Sequence, residues 1–282
     1  MQGASQTTES TWFPPTVQTL VPGDETVLIV VTGESGVGKS HLGQQLLRDP
    51  DYGPERVGFI MSEKSLASYD TPGARYNKIS DLASASEVID AYKRAFTLGK
   101  KLPAVLFFDS LTSSCDLQMK RYNEESPFLG KSGARDKLAE FGDIANDALA
   151  KLSDLRNELP CDIVVIVRTR ERGGRVAPEL ALPGKVIPDN LTGWSDVTFY
   201  MKAESKRFTE EEWAAITPNL AKYQEPHRTF GEDDKGNVMI QRFFYTQNNG
   251  EVLAKAHHAL AMREKAILPD VLRKIHGKPA RY

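Results

Sequence analysis

Apolar residues in this chain gather in short, nearly unbroken runs: Val27–Val31, Val57–Met61, Ala104–Phe108 followed by Asp109, and Ile163–Val167. Runs of this length, rich in β-branched and aromatic residues, predict strands buried on both faces. Between them the apolar period changes to that of a helix. One helix is expected around His41–Arg48. A second follows the capping-box spacing Ser84-x-x-Glu87, carries Val88, Ile89, Tyr92, Ala95 and Phe96, and stops at Gly99. A third spans Ala134–Glu158 with Leu138, Phe141, Ala145, Ala148, Leu149, Leu152 and Leu155 on one stripe. Strands alternating with amphipathic helices predict a three-layer α/β fold with a mainly parallel sheet flanked by helices. Two later stretches, Asp196–Lys202 and Val238–Thr246, are expected to extend that sheet as antiparallel edge strands. Between them a short helix starts at Thr209–Trp213 and ends at Pro218, and His227–Gly236 reads as a loop or hairpin. The expected organisation is a polar tail and Trp12–Pro15 strap over residues 1–20, a core over 21–203, and a C-terminal unit over 204–282 packed on the core.

Parallel sheets place ligand sites at the carboxyl ends of their strands. Directly after the first strand, Gly33–Ser40 matches the phosphate-binding pattern G-x-x-x-x-G-K-[ST] in full. Glycines let the backbone bend until successive N–H groups converge on phosphate oxygens, and the following helix adds the positive end of its dipole. The nucleotide-binding segment runs through Gly33, Glu34, Ser35, Gly36, Val37, Gly38, Lys39 and Ser40 to His41. Lys39 reaches the β and γ phosphates and Ser40 coordinates Mg2+, so ATP and Mg2+ are the expected ligands. His41 itself reads as helix surface rather than as a base. Asp109, an acid at the tip of a buried strand, is the second candidate metal residue, acting through a metal-bound water. Ser110 follows it, so the adjacent acid that would polarise an attacking water is lacking. Glu63 lies two residues beyond the second strand, and the fourth strand runs into Arg168-Thr169-Arg170, where Arg170 or Thr169 is placed to sense the γ-phosphate.

Composition narrows the class. With 282 residues the chain is long enough for one large α/β domain with an appendage, and a net charge of −2 excludes a molecule that binds nucleic acid through its overall charge. Cys115 and Cys161 are the two cysteines and form no metal-ligand spacing. No apolar run approaches the length of a membrane span and the start is polar, so a cytoplasmic protein without a membrane partner is expected.

The order of Gly33–Ser40, Glu63, Phe108–Thr112, the helix bearing Phe141-Gly142, Val165–Glu171 and Pro183-Gly184-Lys185 resembles the compact phage RecA-like ATPases of the Sak-type single-strand annealing group. Phe244-Tyr245-Thr246 and Val252–Ala256 are similar to that family's last strand and the basic segment after it. The resemblance covers about residues 25–275. It implies a RecA-like core, ATP-linked binding of single-stranded DNA in phage recombination, assembly into rings or filaments, a phage single-strand-binding or recombination partner, and a place in the cytoplasm of an infected cell. It also implies that Glu63 activates water for attack on the γ-phosphate. Relatives carry a histidine where Arg170 stands, and Glu204–Glu232 reads as an insertion.

Binding of single strands needs local cations. The candidates are a loop with Arg172, Arg175 and Lys185, a second loop from Lys120 and Arg121 through Tyr122 and Phe128 to Arg135, and the basic end from Lys255 to Arg281. Lys185, Arg172 and Arg175 are equally placed to reach a neighbouring subunit's nucleotide. The same residues also fit two other classes: a nucleotide-kinase-like phosphotransferase with Arg168–Arg175 as lid, and a nucleotide-gated partner-binding module with little turnover.

Overall fold

The computed structural model describes residues 25–62, 71–130, 132–170, 179–182, 191–246, 254–255 and 260–281. Strand β1 (Leu28–Thr32) belongs to a sheet with β2 (Val57–Met61), β3 (Arg75–Lys78), β4 (Val105–Asp109), β5 (Asp162–Ile166) and β8 (Val197–Arg207), and β3 is its edge. The sheet order is β11-β10-β8-β1-β5-β4-β2-β3. From β8 to β3 every pairing is parallel. Beyond β8 the sheet turns antiparallel with β10 (Gly236–Tyr245), against which β9 (Arg228–Asp233) and β11 (Arg263–Lys265) both pair. A separate two-stranded ribbon joins β6 (Thr169–Arg170) to β7 (Glu179–Leu180).

Alternation along β1 sends side chains to two cores. Leu28 and Val30 join Leu106, Phe108, Ile163 and Val165 against helices α2 (Leu82–Thr97), α3 (Leu111–Glu125) and α4 (Lys137–Glu158). Ile29 and Val31 join Phe107, Val164 and Ile166 on the opposite face. That face is covered by Leu42, Leu46 and Leu47 of α1 (His41–Arg48), and by α7 (Leu268–Ile275) after the short helices α5 (Glu210–Ile216) and α6 (Leu220–Tyr223). Burial of both faces is what makes the strand sequences continuously apolar. No helix among the described residues is long and apolar enough to cross a membrane.

Several elements differ from the sequence expectation. Helix α2 is capped by Asp81, whose carboxylate accepts from Ser84 N while Ser84 Oγ accepts from Asp81 N. The capping box is therefore Asp81–Ser84, one turn earlier than Ser84–Glu87. Helix α4 starts at Lys137 under an Asp136 cap rather than at Ala134, because Ala134 and Arg135 return to pair with Gly130 and Leu129. Leu138 is consequently left 81% exposed, and Ile144 takes a place in the buried stripe. Helix α3 and strand β3 carry no hydrophobic signature. The buried face of α3 is mostly Thr112, Ser114, Cys115 and Gln118, and β3 is a polar, largely exposed edge. Strand β8 continues to Arg207 with its last residues exposed, whereas His227–Gly236 is the hairpin β9–β10, one of the two forms expected for it.

The C-terminal segments are tied to the first helix. Gln45 donates to Pro226 O and Ala266 O and accepts from Leu268 N. Arg273 of α7 bonds Asp49 and Asp270 in a buried cluster and reaches Asp51, and this holds the Asp51 carboxyl below the usual range. His227, buried under the Phe243 ring, has Nδ1 3.3 Å from Glu225 Oε2. Burial pushes its imidazole down to about 4 from an ordinary value of 6.5, against the opposing pull of Glu225. The folded chain thus keeps His227 neutral where the unfolded chain takes up a proton. The stability from this group is intact above pH 6.5 and is lost as pH falls toward 4, by of order 3 kcal/mol. Urea unfolding across that interval is expected to show the slope in the parent and not in His227→Gln. Equal slopes would remove His227 as its source.

Candidate functional site

The bend after β1 is shaped by close approach as much as by flexibility. Gly33 has φ of +145° and its backbone lies so near β8 that a Cβ there would sit 2.5 Å from Met201 O. Gly38, at φ +99°, would place a Cβ 2.7 Å from Arg242 Nε. Thr32 Oγ1 donates to Phe199 O at 2.9 Å, which fixes the strand end against β8. Among the described residues, the backbone amides of Ser35, Gly36, Val37, Gly38 and Ser40 donate to no protein group. Helix α1 begins immediately afterwards, with His41 N bonded to Gly38 O and Leu42 N to Lys39 O. Amides that donate to no protein group at a helix start are suited to an anion.

Lys39 is buried, and its Nζ donates to Gly33 O at 2.8 Å and Glu34 O at 2.6 Å. These contacts hold the ammonium across the mouth of the bend. Ser40 occupies the N-cap position of α1, yet its hydroxyl makes no capping bond. A serine there ordinarily bonds an amide of the first turn, so this hydroxyl remains available to a metal ion. The residues present therefore fit a nucleotide polyphosphate and a divalent cation.

Asp109 ends β4 and is 1% exposed, with β5 lying between its strand and β1. The Asp109–Ser110 peptide is cis. Ser62, at the end of β2, clamps this strand end: its amide donates to Asp109 O at 3.0 Å, and its hydroxyl donates to Ser110 O and accepts from Ser110 N. Ser110 in turn caps α3 by accepting from Ser113 N. Ser62 was not singled out by the sequence, where a serine after a strand carries no signal.

Beyond β5, Thr169 N donates to Gly33 O at 3.1 Å, so the fourth strand end is bonded directly to the first residue of the bend. A cleft of about 370 Å³ opens there, lined by Ser35, Thr112, Asp116, Phe141, Thr169 and Arg170 among others. Thr169 Oγ1 is buried without a hydrogen-bond partner among the described residues. Arg168 is engaged by Asp116 at 2.8 Å, whereas Arg170 is exposed.

Glu63, Arg172, Arg175 and Lys185 lie outside the described residues. Lys120 and Arg121, expected on a loop, belong to the last turns of α3, and Arg121 pairs with Asp81 and Glu125. Arg135 pairs with Glu140, whose side chain is fully buried. Five cations of the basic end are ion-paired within the molecule: Arg263 with Glu204, Lys265 with Glu225, Arg273 with Asp49, Lys274 with Glu264 and Arg281 with Asp51. Lys255 Nζ donates to the carbonyls of Gly193 and Ser195. Counting cations along the sequence missed these partners because each acid lies on a different element. Arg242 was also missed, and its contact with Val37 O joins residues 205 positions apart.

A family model described as an AAA domain matches residues 25–258. No curated protein matches the chain. Among solved structures, a prototypical ATPase from the type III secretion system of pathogenic bacteria is similar at 15% identity with a TM-score of 0.41. The alignment covers 68% of this chain and 54% of that one, so the chain spans about half the length of that protein.

Proposed function

The chain belongs to the AAA-domain family, and from that premise we propose that it is a P-loop ATPase, a Mg-dependent, RecA-like ATP hydrolase that binds single-stranded DNA in phage recombination and repair as an oligomer. The row of amides without acceptors between Ser35 and Ser40, closed by Lys39 on the carbonyls of Gly33 and Glu34, is the observation that carries the nucleotide part. In this reading the Lys39 ammonium is the cation that faces the β and γ phosphates. Ser40 and Asp109 are the residues that would hold the metal ion, which when bound would supply positive charge opposite the transferring phosphate.

Glu63 takes the proton from a water whose oxygen forms a bond to the γ-phosphorus, while the bond from that phosphorus to the bridging oxygen breaks and its electron pair leaves with ADP. Thr169 or Arg170 reads the γ-phosphate, and the bond from Thr169 N to Gly33 O gives a direct link from the bend to the loop beyond β6. Glu63→Gln is expected to keep ATP affinity and lose turnover by about a hundredfold or more. Phosphate release at the parent rate would assign the base to another residue.

The DNA part is supported by the resemblance and by exposed Arg170 at the rim of the cleft, ahead of Arg172, Arg175 and Lys185. In this reading the C-terminal stretch has a lesser part, since Arg263, Lys265, Arg273, Lys274 and Arg281 are ion-paired within the molecule. We assign residues 204–282 to an extension that packs on the 21–203 core. The test is phosphate release from ATP with and without single-stranded DNA at rising salt. Stimulation that fades as salt rises is the expected result. Turnover indifferent to DNA at every salt concentration would sink the DNA reading and leave the ATPase intact. A nucleotide-kinase-like phosphotransferase is favoured by one observation, the cleft beside Ser35 with the unpartnered Thr169 hydroxyl, which is large enough for a phosphate acceptor. Phosphorylated nucleoside product would identify it.

A further inference from the structure

Arg242 stands on β10, in the antiparallel extension that the reaction described above does not use. Its guanidinium lies on the outer wall of the phosphate-binding bend. Nε donates to Val37 O at 3.0 Å and Nη1 donates to Thr229 Oγ1 at 2.8 Å. Gly38 makes room for it, since a Cβ there would meet Arg242 Nε at 2.7 Å and Cδ at 3.2 Å. The backbone of Arg242 is itself anchored, donating to His227 O and accepting from Ala266 N.

The charge environment sets this arginine apart. Arg273 is surrounded by Asp49, Asp51 and Asp270, and Arg135 is paired with Glu140. Arg242 makes no ion pair among the described residues, and burial lowers its affinity for its proton. Two of its five N–H groups are used, both on neutral acceptors. A guanidinium partly withdrawn from water without a counter-ion is costly, and the cost is recovered when an anion arrives. The adjoining feature built for an anion is the bend whose amides lack acceptors.

We propose that Arg242 binds a phosphate oxygen of the nucleotide held by its own chain, which makes the β9–β10 hairpin part of the nucleotide site. The inference rests on the nucleotide reading given above and deepens it. Arg242 meets the Val37–Gly38 limb of the bend, whereas Thr169 and the cleft meet Gly33 and Ser35. It therefore serves phosphates present before and after hydrolysis, and ADP and ATP depend on it alike.

Isothermal titration of the full chain with MgADP and with a magnesium-bound, non-hydrolysable ATP analogue tests this. Arg242→Gln is expected to weaken both ligands about ten- to a hundredfold, the worth of one charge-assisted hydrogen bond. Arg242→Lys keeps the charge and is expected to recover most of that loss, with affinity falling as salt rises. Thermal unfolding without nucleotide checks that each variant is folded. If the glutamine variant does not fold, Arg242→Met takes its place, loss of both ligands with recovery in the lysine variant supporting the contact and parent-like affinity overturning it. A glutamine variant that binds both ligands like the parent overturns the proposal, as do equal losses in glutamine and lysine, which would reduce Arg242 to a brace for Val37 O. A parent that binds neither ligand removes the nucleotide reading together with this one. A parent that binds, beside a Lys39→Ala variant that does not and an Arg242→Gln variant that does, removes this one alone.

Discussion

Lys39→Ala is expected to abolish measurable ATP binding and turnover while leaving the fold in place. The ammonium is buried and already faces two backbone carbonyls of the bend, so it is positioned before the ligand arrives. Truncation removes both the cation opposite the β and γ phosphates and the cross-link that keeps Gly33 and Glu34 closed. Charge-assisted hydrogen bonds are worth about 1.5–3 kcal/mol each, so losing two or three of them takes a micromolar site out of the practical range. Equilibrium binding of a fluorescent ATP analogue measures this directly. Affinity within about threefold of the parent would mean that Lys39 is only a clasp for the loop.

Asp109→Asn is expected to separate metal handling from nucleotide binding. The side chain is almost completely buried at the end of β4, on a strand end clamped by Ser62 and continued by Ser110 into α3. Asparagine preserves the volume and removes the charge. ATP is expected to bind within about tenfold of the parent, while turnover falls about a hundredfold or more and demands higher magnesium, the usual scale for an altered metal environment. A magnesium titration of phosphate release checks it. An unchanged magnesium requirement at full turnover would assign Asp109 to the structure of the strand end alone.

The parts that were legible in the sequence are those in which chemistry and local pattern coincide. The strands from Val57, Val105 and Ile163 show as unbroken apolar runs because helices cover both faces of the sheet. The bend shows because its glycines, lysine and serine are consecutive. Helix α3 stayed hidden because the surface it buries is made largely of Thr112, Ser114 and Gln118, and small polar residues leave no apolar period. Strand β3 stayed hidden because Arg75–Lys78 is a polar edge. The ion pairs of the basic surfaces stayed hidden for a different reason. Sequence displays Arg121, Arg135 and Arg273 as cations but not the acids folded against them from other elements, Asp81, Glu140 and Asp49. Arg242 presents the reverse case, an unremarked arginine in a strand that the fold carries onto the wall of the bend.

The central claim is that the backbone from Gly33 to Ser40 holds a triphosphate and its metal ion. A crystal structure of the full chain with magnesium and a non-hydrolysable ATP analogue tests it most directly. The expected result is the triphosphate within the bend, accepting from the amides of Ser35–Ser40 and from Lys39 Nζ, with the metal ion on Ser40 Oγ. A bend that holds no phosphate at saturating analogue, or a triphosphate bound at another place on the molecule, would contradict it.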